Sequence, residues 1–159
     1  MNKSWGLLGI VALAMLTGCT AATVADNPPT ELVISQSWSG DYPVAELNLL
    51  PDGQRTSRVG YLGNEGAFKA VWAGFKPEEA LPQLDFHRHM VVFCRNVDFY
   101  NRTRILKVTL KDGAAEVIAM ETMSAIPIGD KVAMAMAVIP RADVKTIQAG
   151  PERLPVSTE

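Results

Sequence analysis

A chain of 159 residues with 15 Lys and Arg against 17 Asp and Glu has the length of one domain, and no basic excess with which to hold nucleic acid. Its 48% hydrophobic and 20% charged residues suit a chain that buries a core and exclude a disordered one. Two Cys and two His exclude a disulfide scaffold and a four-Cys zinc site.

The first element is an export segment. Lys3 supplies a positive start, and Trp5 to Leu16 run apolar and uncharged. That run is short of the ~20 residues that span a bilayer and has the size of a signal-peptide core. It ends in Leu16-Thr17-Gly18-Cys19, which resembles a bacterial lipobox. The resemblance implies cleavage before Cys19, a diacylglyceryl thioether on its sulfur and acylation of the new amino group. One acyl chain holds only marginally at roughly 0.8 kcal/mol per buried CH₂, whereas two or three anchor stably. Thr20 in place of Asp implies the outer membrane where the host is Gram-negative. Losing Met1 to Gly18 removes one Lys and no acid, which leaves 14 basic against 17 acidic side chains.

Residues 19–30 read as the lipidated Cys and a flexible tether, 31–150 as a single domain, and 151–159 as a loose tail. Within the domain, Leu32 to Trp38 is β-rich and stops at Gly40, Ala45 to Leu50 is a short apolar run, and Pro51-Asp52-Gly53 is a turn. Asn64 to Gly74 is the best helix: Asn64 is an N-cap, Gly74 closes it, and Phe68, Val71, Trp72 and Phe75 share one face. Met90 to Cys94 is apolar on both faces and suits a central strand. Arg104 to Lys111 alternates, with Leu106, Val108 and Leu110 inward. Asp112-Gly113 makes a hairpin turn into Ala114 to Glu121. Val132, Met134, Met136 and Val138 share a face of the next strand, and Val144 to Gln148 is the last. Strands around one helix predict an α+β fold, with a mostly antiparallel sheet or sandwich carrying one main helix.

Three features bear chemistry. Asp85, His87 and His89 would line one face if they lay on a strand, and two imidazoles with a carboxylate suit zinc or iron. That spacing adds no further ligand, so a surface or strand-start role is the reading taken and no metal or cofactor is expected. An envelope metal or small-ligand carrier using these three residues is the alternative. Cys94 sits in Met-Val-Val-Phe-Cys and reads as a buried core thiol, left without an intrachain disulfide partner if Cys19 is lipidated. Met120, Met123, Met134 and Met136 read as core filling at strand spacing. The chain contains no nucleophile elbow, zinc-protease motif or phosphate loop, and no enzyme activity is expected.

Val71-Trp72, then Leu81-Pro82-Gln83-Leu84-Asp85-Phe86, then Met90-Val91-Val92 and Ile139-Pro140-Arg141-Ala142-Asp143-Val144 resemble the C-terminal domain family of the protease-complex subunit PrcB. The similarity covers about Leu32 to Gln148. It implies a non-catalytic accessory or protein-interaction module associated with an exported protease, and it implies that Asp85 caps the turn before a strand. Where the family has a Thr-Gly-Gly-Tyr-like turn, this chain has Asn96 to Arg104 without a glycine pair. Phe99, Tyr100, Arg102 and Arg104 in that stretch are the expected partner contacts, since aromatic residues and Arg dominate binding hot spots. The expected partners are the membrane, through the lipid on Cys19, and an envelope protein.

Overall fold

The computed structural model describes residues 28–157. In chain order these form β1 (Thr30–Leu32), β2 (Gln36–Pro43), a 3-10 helix (Val44–Leu49), β3 (Val59–Leu62), α1 (Glu65–Phe75), β4 (His89–Arg95), β5 (Thr103–Lys111), β6 (Ala114–Glu121), β7 (Lys131–Pro140), β8 (Thr146–Ala149) and β9 (Glu152–Pro155). The strands make two sheets, ordered β2-β7-β4-β3 and β1-β5-β6-β8-β9. Every pairing is antiparallel except β6 with β8. The fold is α+β, as expected.

β4 and β7 organise the layers because each is apolar on both faces. On β7, Ala135, Ala137 and Ile139 point toward the five-stranded sheet, while Val132, Met134, Met136 and Val138 point toward α1. On β4, Met90, Val92 and Cys94 join the first core, and Val91 and Phe93 join the second. Alternation at period two divides one strand between two cores. The small Ala residues of β7 let the sheets approach, and the Met residues fill the less regular space under the helix.

The helix forms where its pattern places it. The Asn64 side chain accepts from Ala67 N at 2.9 Å, and Phe68, Val71, Trp72 and Phe75 are buried against the sheet. Burial of each large side chain contributes roughly 1.5–3 kcal/mol. Phe68 and Trp72 also meet Trp38 of β2, with ring centroids 6.1 and 5.0 Å away. Gly74 does not close the helix, which continues to Phe75. A Cβ at Gly74 would collide with the Glu46 carboxylate, so its role is close approach. At the hairpin, Asp112 and Gly113 have φ of 51° and 82°, the positive pair that a tight primed turn requires.

Four further expectations need correction. The apolar run beginning at Leu32 is not one strand: β1 pairs with β5, and after Ser35 the chain enters the other sheet as β2, which runs past Gly40 to Pro43. A register shift between Ile105 and Lys107 turns Ile105 inward and leaves Leu106 exposed, because the extra residue of a bulge reverses the alternation before it. The stretch expected to be a loose tail contains β9, which pairs with β8, and Val156 packs on the core between the sheets. Met120 and Met123 are exposed, unlike the buried Met134 and Met136. Among the described residues no helix is long and apolar enough to cross a membrane.

Candidate functional site

Cys19 and the export segment lie outside the described residues. The other candidates occupy three separate places.

Asp85, His87 and His89 are not aligned on a strand. A turn separates them, and β4 begins only at His89. Asp85 Oδ1 accepts from His87 N at 3.0 Å, and its carbonyl accepts from His89 N at 2.9 Å. Asp85 therefore caps the turn that launches β4. Among the described residues no three His, Cys, Asp or Glu side chains form a group that could hold a metal ion. Asp85 and His87 border an open cleft of about 790 Å³ beside the start of α1. The Arg141 guanidinium in that cleft bridges two backbone carbonyls, Gly63 O at 2.9 Å and Phe86 O at 3.0 Å. It ties the turn after β7 to the start of the helix.

Cys94 forms part of a second cleft of about 580 Å³ where the two sheets part. Glu121, Glu152 and Arg58 line it as well. The Glu152 carboxylate accepts from Arg58 N through both oxygens at 3.1 Å, and Glu121 accepts from Asn96 Nδ2 at 2.6 Å. Burial, followed by the negative charge of Glu121, pushes the Cys94 thiol up to about 12, against a weaker opposite pull from Arg58. A thiol with that pKa is neutral at physiological pH and is a poor nucleophile.

The third place is an arm built from residues 97–102 and 122–127. Asn96 starts it: its Oδ1 accepts from Asp98 N at 2.9 Å and Phe99 N at 2.8 Å, which closes an Asx-type turn. Phe99 bridges Pro127, Tyr100 N donates to Ile126 O at 2.9 Å, and Thr122 N donates to Arg102 O at 3.0 Å. The arm is thus an extension of the β5–β6 pair. Tyr100 Oη donates to Asp41 Oδ1 at 2.5 Å and fastens the arm to β2. Phe99, Arg102 and Arg104 are exposed, and Tyr100 is half-buried. Phe99, Tyr100 and Arg102 lie in the arm, and Arg104 follows at the start of β5. The structure adds Met120, Met123 and Ile126, which sequence reasoning missed. Met120 lies directly opposite Arg104, Ile126 is 64% exposed, and Met123 is fully exposed. The turn-like Ser124, Ala125 and Pro127 around Met123 and Ile126 were the available signal that these residues leave the strand.

The arm adjoins an unpaired strand edge. Among the described residues β2 pairs only with β7, in unbroken register from Gln36↔Val138 to Pro43↔Lys131. Val44 N donates to Asp130 O in that same register. Antiparallel alternation then points the N–H groups of Trp38, Gly40 and Tyr42 at β7 and those of Ser37, Ser39 and Asp41 outward. Side chains cover part of the opposite edge of this sheet and the residue that precedes it. Gln54, itself buried, accepts from Tyr61 N at 2.7 Å, and Glu152 covers Arg58 N.

No protein-family model, curated protein or solved structure matches the chain.

Proposed function

We propose that the chain is a lipid-anchored cell-envelope protein, held by Cys19, that acts as a non-catalytic accessory or protein-interaction module of the kind associated with an exported protease. The sequence supports the anchor: a positive start, an apolar run and Leu16-Thr17-Gly18-Cys19 follow in order. The observation that carries the interaction reading is the edge of β2, an eight-residue strand with regular outward backbone groups and only one charged side chain, Asp41. Natural edges of that length are normally blunted, as β3 is here. An extended segment of a partner would add to β2 and would meet Phe99 and Tyr100 at the Asp41 end. Anchoring raises the effective concentration of this edge for membrane-bound partners.

The test is affinity enrichment from membranes with the lipidated protein and with Ser39→Pro. That substitution removes an outward N–H without touching the β7 ladder. The wild-type chain is expected to enrich a partner that Ser39→Pro loses at an unchanged Tm. Equal enrichment by both proteins refutes strand addition, and no enrichment over an unrelated lipidated control refutes the module.

A further inference from the structure

The tip of the arm joins apolar side chains to uncompensated cations. Arg104 and Met120 are cross-strand partners and so share one sheet face. Arg102 and Thr122 exchange hydrogen bonds one step farther out, and Met123 and Ile126 follow. Nearby Asp98 and Glu121 are directed to Arg58 and Asn96. Arg102 and Arg104 make no ion pair among the described residues. Two guanidinium groups without an ion pair among the described residues therefore share this end of the β5–β6 pair with three exposed apolar side chains, Met120, Met123 and Ile126.

We propose that this tip lies on the phospholipid surface to which Cys19 is tethered, with Met120, Met123 and Ile126 at the acyl boundary and Arg102 and Arg104 at the headgroup phosphates; the inference rests on the anchored reading above. Apolar groups flanked by Arg match the chemistry of an anionic interface. The chain length fits as well. From Cys19 to Thr30 the chain takes eleven steps, which span at most about 40 Å. Thr30 lies opposite Leu110, and from there β5 runs about 20 Å to Arg104. The tether thus exceeds the length of the strand and lets the tip reach the surface that holds the anchor. A bilayer also demands no fixed hydrogen-bond geometry, and flexible Met side chains offer none. In that pose the edge of β2, joined to the arm at Tyr100, has a set orientation at the membrane.

The test uses the lipidated protein in phosphatidylethanolamine–phosphatidylglycerol vesicles, with a polarity-sensitive label at Met123→Cys or at Lys145→Cys. Cys94 is buried and does not compete for the label. Lys145 adjoins the hairpin turn, at the opposite end of β5 from the tip. Blue-shifted emission at 123, quenched by bromolipid and lost in Arg102→Glu/Arg104→Glu, supports docking when position 145 stays unquenched. A label at 123 that remains in water, or equal quenching at both positions, overturns it. A photocrosslinker at 123 that captures a protein in place of lipid in native membranes also overturns it. Mass analysis of Cys19 separates the two ideas: a lipidated chain with a solvated tip refutes docking alone, while an unmodified Cys19 refutes the anchor and docking together.

Discussion

At the scale of single residues, burial decides what the titratable groups can do. Cys94 was legible as a core thiol because the four residues before it, Met90 to Phe93, are apolar. Its charged surroundings were not legible, since Arg58, Glu121 and Glu152 come from distant parts of the chain. The thiol rises from an ordinary value near 9 to about 12, chiefly by desolvation, and burial likewise raises the Tyr42 hydroxyl from 10 to about 12. Both groups hold their protons in the folded state after the unfolded chain has lost them. Stability is therefore full below pH 9 and falls as pH rises toward 12, by up to about 1.4 kcal/mol per pH unit for each group in its window. Urea unfolding of the wild type and of Cys94→Ala should show this. The variant loses stability at neutral pH from its cavity, but the gap to wild type narrows between pH 9 and 12. A gap that stays constant with pH would mean that the thiol ionises alike in both states.

At the scale of elements, local patterns were readable where one face of one segment decides the outcome. Helix α1, the Asp112-Gly113 turn and the two-faced strands β4 and β7 belong to this class. Asn64→Ala removes the cap bond to Ala67 N and should cost about 1 kcal/mol in urea unfolding, with the helix still formed because its buried face is unchanged. Sequence failed where a second segment decides. The bulge at Ile105/Lys107 depends on the register with β6, and Gly74 answers to a carboxylate from the 3-10 helix. The blunted edge of β3 is another such case. Gln54 lies in a loop, and nothing in its local sequence announces that its side chain will stand in for a neighbouring strand. Gln54→Ala should cost about 1–3 kcal/mol by leaving the Tyr61 N–H without its protein acceptor. Hydrogen exchange is expected to quicken at Tyr61 while the β4–β7 ladder keeps its protection. An unaltered exchange rate at Tyr61 would show that water replaces the side chain without loss.

At the scale of the molecule, the last described strand links the two sheets. β9 completes the five-stranded sheet beside β8, Leu154 standing opposite Ile147, and its first residue, Glu152, takes Arg58 N next to the start of β3. Ser157 N donates to Tyr61 Oη at 2.8 Å, which fastens the end of the chain to the same strand. Pro151 and Glu152 also form one wall of the cleft that Cys94 lines. A chain ending at Gly150 keeps every strand of the four-stranded sheet and all of α1 but loses this clasp. The truncated protein should unfold at lower urea and remain cooperative, because the core between β4, β7 and α1 does not involve the lost residues. Its clearest signature is chemical. With the wall removed and Glu152 gone, water reaches the thiol, and both causes that depend on the tail weaken. A disulfide reagent at pH 8 should then modify Cys94 in the truncated chain well before global unfolding, while the full chain reacts only as fast as it unfolds. Equal protection in both chains would place the barrier to the thiol in the pairing of β6 with β8 and would reduce β9 to an ornament of the edge.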